Sequence, residues 1–500
     1  MSSSQPVSQP VSQSDADAPI VVPHAHAPDA AVVGAEVRLR WFVTLWVMAL
    51  AFHYSDSDPL AVLPVLVFAL PALAYPCVAT FLPFLAVDAV LAALHLPAAS
   101  NHLVLSLLVA VALGGAALHA WWRPGPEPFA ARWLDTARTP GGLVLLVVYA
   151  FTVFHKLNTA FFDPAVSCAG SLLAQLVSLS GGTPAFAPAL VSAAAAGTVV
   201  VEAAVLLLLA VPGWQRWGVV LGVGLHAVLA PASFFDFATV VFVLYVLLMP
   251  REVFAGLATR EARLRGVALA AFGIHVLVGL VTAALGISGP TVHLLLVGSW
   301  YVAVGTLMVP AVLAGLATRV PWPRWRRRPA VLLLVPLVAF ANGATSYLGL
   351  KTVANYSMFS NLHTEQGATN HVVPGIAALD VAGFARDTVT VTALRLPDRA
   401  VLDPVTTLLG GGSYVRRAAR WSTEPVPVVV PYQELRRTVL LWRDAGIRGV
   451  TLTYTHEGVA RTVADATADP ELSAPLPWWE RHLLAFRAVD SADGPDRCRW

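Results

Sequence analysis

Of the 32 basic residues in this chain, only Lys156 and Lys351 are lysines. Lys156 closes the apolar run Val147-Val-Tyr-Ala-Phe-Thr-Val-Phe-His-Lys-Leu-Asn158, where hydrocarbon would give way to a polar turn. Nucleotide bias alone produces a Lys-poor, Arg-rich chain, so the position carries the weight and not the rarity. Arginine stays charged in proteins, whereas a desolvated lysine can surrender its proton, and a neutral amine is a base. The chemistry this position suggests is proton abstraction, with His155 beside it. Glu202, within Gly197-Thr-Val-Val-Val-Glu-Ala-Ala-Val-Leu206, and His226, in the next apolar run, each lie about ten residues from the inner end of their run. On adjacent antiparallel helices they would reach similar depth, as an acid/base couple or as interhelical glue contributing about 0.6–2 kcal/mol. Asn101 and His102 open a further run at the level of Lys156, a place that site residues and ordinary interfacial polarity both occupy. Asp88 is another acid within an apolar run, and His275 and His293 flank a later turn with interfacial character.

The elements that must position these residues follow from composition. With 57% hydrophobic and 12% charged residues over 500, an ordinary soluble domain is excluded and a polytopic α-helical membrane protein is expected. Residues 1–35 are Ser/Pro/Ala-rich without a basic region beside an apolar core, so they read as a disordered tail and not as a signal peptide. Runs long enough for about 30 Å of hydrocarbon number eleven: 36–54, 60–76, 78–96, 101–122, 141–156, 184–212, 215–234, 236–250, 266–286, 291–317 and 329–350. The second, fifth and eighth are short or interrupted by proline. With the N terminus inside, all fifteen arginines before residue 350 fall on the cytoplasmic side, while the outer short loops hold only Lys156. An odd number of spans then puts residues 351–500 outside.

That outer segment regains charge, with half of the chain's arginines. Thr388–Arg395 and Gly449–His456 alternate as strands do, and Gln433–Ala445 and Trp478–Val489 have helical spacing. A small extracytoplasmic α+β domain of about 130 residues is expected, large enough to own a core. Cys77 falls near the cytoplasmic face, whereas Cys168 and Cys498 fall outside, where disulfides persist. A Cys168–Cys498 bridge would staple the outer domain to the loop after Lys156; two unpaired small residues are the alternative. There is no P-loop, no GxGxxG after a strand, no HExxH and no CxxC. His24 and His26 are too few to make a ligand set, so no metal is expected, and no nucleic-acid partner.

Asn101-His102-Leu103, Lys156-Leu157-Asn158, the acid within Val200-Val-Glu-Ala-Ala-Val-Leu-Leu-Leu-Leu209, and Leu225-His226 followed by Phe234 and Pro250 carry a resemblance. In order and spacing they resemble the membrane domain of the vitamin K-dependent gamma-carboxylases, shared with bacterial horizontally transferred transmembrane (HTTM) proteins. The likeness is densest over residues 36–250. Ser167-Cys168-Ala169 and Met358-Phe-Ser-Asn-Leu-His-Thr-Glu365 look like the bacterial branch. The resemblance implies an enzyme of the bacterial cytoplasmic membrane, with Lys156 as the base for a reduced quinone (menaquinol or vitamin K hydroquinone). His102 and His226 would serve as catalytic residues lining the site, and His155, Asn101 and Glu202 would lie against the cofactor. With O2 and CO2 as cosubstrates, quinol oxidation would drive carboxylation of a glutamyl side chain on a peptide or protein. His155 stands where the animal enzymes have a second lysine, and the outer domain is shorter than theirs. Two other readings remain: a quinone- or lipid-binding oxidoreductase or transferase without carboxylation, and a noncatalytic membrane anchor for the outer domain.

Overall fold

The apolar runs form helices in the computed structural model, which describes residues 30–57, 62–178, 186–232, 234–322, 325, 329–366, 369–397, 419–424, 426–490 and 498. The helices before the outer domain are α1 Ala30–Ser57, α2 Val62–Ala74, α3 Val78–Leu94, α4 Asn101–Trp122, α5 Phe129–Lys156, α6 Thr159–Phe162 and α7 Cys168–Ser178. They continue with α8 Pro188–Ala210, α9 Gln215–Leu229, α10 Phe235–Leu248, α11 Arg251–Ala255, α12 Glu261–Leu285, α13 Pro290–Ala317 and α14 Leu334–Ala344. The tail expected over 1–35 lies outside the described residues up to position 29, and α1 begins at Ala30.

Each of the eleven expected runs holds a helix, but among the described residues five helical segments are long and apolar enough to cross a membrane unaided. These are Asn101–Trp122, Phe129–Lys156, Pro188–Ala210, Ala258–Thr282 and Pro290–Ala317. The others fall short for local reasons: α2, with Pro71 inside it, has 13 residues, and α10, between Pro231 and Pro250, has 14. The run at 184–212 was expected to follow Lys156 directly, yet the apolar α7 intervenes.

Burial separates the helices into a centre and a rim. In α1, Trp41 to His53 are buried throughout, and so is α10 from Ala238 onward, as befits helices that are apolar on every face. Around them α8, α12 and α13 turn Val200, Leu207, Leu277 and Leu313 outward, each at least 60% exposed. So broad an apolar exterior matches a lipid-facing surface and not a watery one. Arg38 is buried at the far end of this core. It donates to the Val246 and Leu247 carbonyls at 3.3 and 2.6 Å, serving the open C-terminus of α10, and pairs with Asp135 at 2.8 Å.

Among the described residues, the C-terminal part forms a four-stranded antiparallel sheet, ordered β2-β1-β3-β4, from β1 Thr388–Arg395, β2 Val428–Pro431, β3 Thr451–His456 and β4 Val459–Val463. Val389 and Val391 of β1 and Leu452 and Tyr454 of β3 alternate inward, onto Leu435, Val439 and Trp442 of α15 (Tyr432–Asp444). The helix expected over 478–489 stops early, as α16 Trp478–Leu483. Beyond it the backbone is claimed by other partners: Ala485 O accepts from Thr352 and Val353 N–H, Phe486 N–H donates to Glu434 at 3.0 Å, and Val489 bridges Val429.

Residues 351–371, assigned by composition to the outer domain, pack into the helical part. Ala354, Tyr356 and Leu362 join its core, and Tyr356 N–H donates to Asn101 Oδ1 at 2.7 Å. Five non-glycine residues of this segment, Ala354, Tyr356, Phe359, Asn361 and Gln366, hold φ between 52° and 70°. Each such residue costs of order 1–3 kcal/mol and persists only where its surroundings dictate it. Lys351 opens the segment 6% exposed, and burial pushes its ammonium down to about 8 from 10.5. The unfolded chain therefore binds more protons between those values, and stability rises with pH across that window. Lys351→Met is expected to stabilise the protein at pH 7 by about 3 kcal/mol, at 1.4 kcal/mol per pH unit. Detergent-solubilised unfolding midpoints at pH 7 and pH 10 check this, the gain shrinking at the higher pH.

Candidate active site

Four helices present regularly spaced faces to one cleft. Leu145, Tyr149, Thr152 and Lys156 of α5 lie three or four residues apart and so share one side of the helix. Thr198 and Glu202 of α8, His226 and Leu229 of α9, and Phe237, Ala238 and Val241 of α10 repeat the pattern. Leu172 of α7 and Met358 and Phe359 of the strained segment close the cleft, whose cavity volume is about 70 Å³. Among the described residues its walls are apolar except for Thr152, Thr198 and two polar clusters.

The first is an ion pair. Lys156 Nζ lies 3.0 and 2.9 Å from the two Glu202 carboxylate oxygens and 3.3 Å from the Thr152 carbonyl, with Lys156 4% and Glu202 8% exposed. The ammonium stands at the C-terminus of α5, the helix end that favours a cation. The second is a hydrogen-bonded chain in which Tyr149 Oη lies 2.7 Å from His226 Nε2 and 2.7 Å from Tyr245 Oη. Gly222, one turn before His226, leaves room for it, since a Cβ there would overlap the Tyr245 hydroxyl.

Glu202 and His226 thus face the same cleft from adjacent helices, as equal depth predicted, but the carboxylate is held by Lys156 and the imidazole by Tyr149. His155 turns away: fully buried, its Nε2 lies 3.2 Å from Gly343 O, and it does not line the cleft. Asn101 anchors Tyr356, and His102 belongs to a separate cluster with His53 and Asp236, so neither reaches the cleft. Asp88 accepts from Trp46 at 2.7 Å and Ser106 at 3.3 Å, His275 lies 3.1 Å from Leu296 O, and His293 lies 2.7 Å from Pro231 O. Those three serve helix packing.

The roof over Lys156 is built by the residues that follow it. Asn158 caps α6, accepting from Phe161 N–H at 2.8 Å while its amide donates to His155 O and Ser360 O. The strand-like pairing of Asn158 with His371, and the bond from Val372 N–H to Leu157 O, hold the returning chain against the end of α5. His371 is fixed as the Nε2–H tautomer, donating to Phe154 O at 2.9 Å while Nδ1 accepts from Val373 N–H at 3.0 Å. Cys168 and Cys498 are joined as a disulfide, with their Cα atoms 4.8 Å apart.

The tyrosines escaped the sequence reading. Tyr149 precedes Lys156 by seven residues, a helical repeat that could have flagged it. Tyr245 had no such signal, because it reaches the site across a glycine on another helix. Comparison of the chain with protein-family models, curated proteins and solved structures returns no match.

Proposed function

We propose that the protein is a multi-pass membrane enzyme whose Lys156–Glu202 pair takes a proton from the ring hydroxyl of a lipid-soluble aromatic substrate, a reduced quinone of the menaquinol or vitamin K type. One observation carries the reading: a buried lysine–carboxylate pair stands in the wall of an otherwise largely apolar cleft. The residues suit such a ring. Phe234, Phe237 and Phe359 offer aromatic faces, Leu229, Val241 and Met358 offer apolar contact, and the polar groups are few and fixed.

When bound, a reduced quinone supplies an acidic hydroxyl and the reducing equivalents that, by the resemblance above, accompany O2 and CO2 in carboxylating a glutamyl substrate. Lys156 and Glu202 hold one proton between them as ammonium and carboxylate. When that proton passes to the carboxylate, Lys156 is a neutral amine that takes the substrate's proton, and the resulting ammonium faces the anion just formed. The low dielectric of the cleft strengthens that attraction. Tyr149, held by His226 and Tyr245, orients a second polar atom of the ring.

The arrangement also favours a topology. Lys156 lies eighteen residues beyond Arg138 on α5, about 27 Å at 1.5 Å per residue, close to the thickness of the hydrocarbon core. Arg38, Arg138 and Arg251 gather around Asp135 and Glu127 at the opposite end from Lys156. We therefore place the N terminus in the cytoplasm, the sheet domain outside the bacterial membrane, and the shorter helices among eleven crossings.

The test is quinol-dependent incorporation of labelled CO2 into glutamyl peptides by membranes containing the protein. Wild type is expected to give labelled product, and Lys156→Ala and Lys156→Arg none, although both fold. A noncatalytic anchor predicts instead that Lys156→Arg is tolerated in every assay. Quinone binding without product from any glutamyl peptide or lysate would sink carboxylation and leave quinone chemistry at the same pair.

A further inference from the structure

Beyond the Lys156 cleft, the outer ends of three helices bring together a second set of donor atoms. His53 lies near the end of α1, His102 is the second residue of α4, and Asp236 is the second residue of α10. His102 Nε2 lies 2.8 Å from His53 Nδ1 and 3.0 Å from Asp236 Oδ2, and His53 Nδ1 lies 3.1 Å from the same oxygen. Ser100 Oγ, at the N-cap of α4, stands 2.8 Å from His102 Nε2.

Hydrogen bonds serve this triangle badly. An imidazole nitrogen offers one hydrogen or one lone pair, directed along the ring plane. His102 Nε2 nonetheless has three polar atoms within 3.0 Å. A hydrogen placed between the two histidines leaves neither nitrogen donating to the carboxylate oxygen, and hydrogens on both nitrogens crowd each other across 2.8 Å. A cation at the centre satisfies all three atoms at once. Donors bound at right angles and about 2.1 Å from a divalent ion are about 3.0 Å apart, which is the spacing found here.

We propose that His53, His102 and Asp236 form a binding site for one first-row divalent transition-metal ion, in the facial arrangement of two imidazoles and one carboxylate. The donor set suits zinc, iron(II) or manganese(II) and not calcium or magnesium, which take oxygen ligands. Two features pre-form it. Phe237 N–H donates to the other carboxylate oxygen, Oδ1, at 2.6 Å and fixes its orientation, and the first turn of α10 favours the ionised form. The side chains of His102 and Asp236 keep 11% and 16% exposure, which leaves a way in. The site stands independently of the quinone reading, although Phe237 and Ala238, the next residues of α10, face the cleft. It also replaces the expectation of no metal, since its ligands are spread over more than 180 residues and have no local spacing to read.

The experiment uses full-length protein in detergent, with His24→Ala and His26→Ala in every sample so that the tail contributes nothing. After stripping with chelator, zinc, manganese(II) and anaerobic iron(II) are each titrated and bound metal is counted by mass spectrometry. About one ion per chain is expected to survive gel filtration for at least one metal. Asp236→Asn and His53→Gln should each weaken binding at least about tenfold, whereas His275→Gln should leave it unchanged. Cobalt(II) keeps the proposal testable if the ligand variants fail to fold: the parent protein should show ligand-field bands of a nitrogen- and oxygen-ligated ion. Metal below a tenth of an equivalent, binding indifferent to the ligand variants, or absence of those bands would each overturn it.

Discussion

Glu202→Leu is expected to destabilise the protein by about 3–5 kcal/mol, the cost of stranding one member of a buried ion pair. The partner left behind is Lys156, 4% exposed, with, among the described residues, the Thr152 carbonyl at 3.3 Å to replace two carboxylate oxygens at 2.9 and 3.0 Å. Adding Lys156→Met should return most of the loss. An apolar pair of similar volume in place of a buried ion pair is commonly neutral or stabilising by about 1–4 kcal/mol. The double-mutant cycle, read from unfolding midpoints in detergent, should therefore show a coupling of several kcal/mol. Activity should behave in the opposite way, since the stable double variant has no base and no acid. A general base contributes about 10²–10⁴ in rate, so the cycle separates the pair's structural cost from its chemical use. A Glu202→Leu variant as stable as the parent would mean that the two side chains do not meet.

What the sequence revealed, and what it hid, divides along physical lines. Apolar runs show where helices lie because lipid demands that every backbone group be bonded within its own segment. Ser100 and Arg123 accordingly mark α4 to the residue. Crossing number is less legible: prolines marked the second run as weak, but nothing in it showed that its helix, α2, would have 13 residues against the 22 of α4. Lys156 and Glu202 stood out individually, since an ionisable group within an apolar run is expensive enough to need a reason. Their partnership did not, because equal depth pointed to His226 and said nothing about which face of α8 looks toward α5. The segment 351–371 was hidden for another reason: its polar composition resembles a soluble domain, while its backbone and Asn361 are hydrogen-bonded to residues at the ends of α4, α5 and α7. His53 and Asp236 were invisible as a pair, being on helices far apart in the chain.

The bridge between Cys168 and Cys498 carries the second large expectation. It closes a loop of 330 residues, and removing a native disulfide typically costs about 2–5 kcal/mol, more for longer loops in the chain-entropy account. Cys168 is fully buried among Phe161, Ala195 and Phe359, and its N–H donates to Asn361 at 2.7 Å. The bond therefore ties the end of the chain to α7, beside the segment that brings Met358 and Phe359 over the cleft. Cys168→Ala with Cys498→Ala is expected to lower the unfolding midpoint and to weaken retention of any ligand held beneath Phe359. A reductant should bring the parent down to the same midpoint and leave the double variant unmoved. Thiol counting supplies an independent check. Cys77 is the free, exposed cysteine, so alkylation should modify one thiol per chain before reduction and three afterwards. Three alkylated cysteines without reductant would remove the bridge, and with it the argument that these two residues face an oxidising compartment. One thiol with no change in midpoint would keep the bridge but show that the roof of the cleft is held by Asn158, Asn361 and His371 alone.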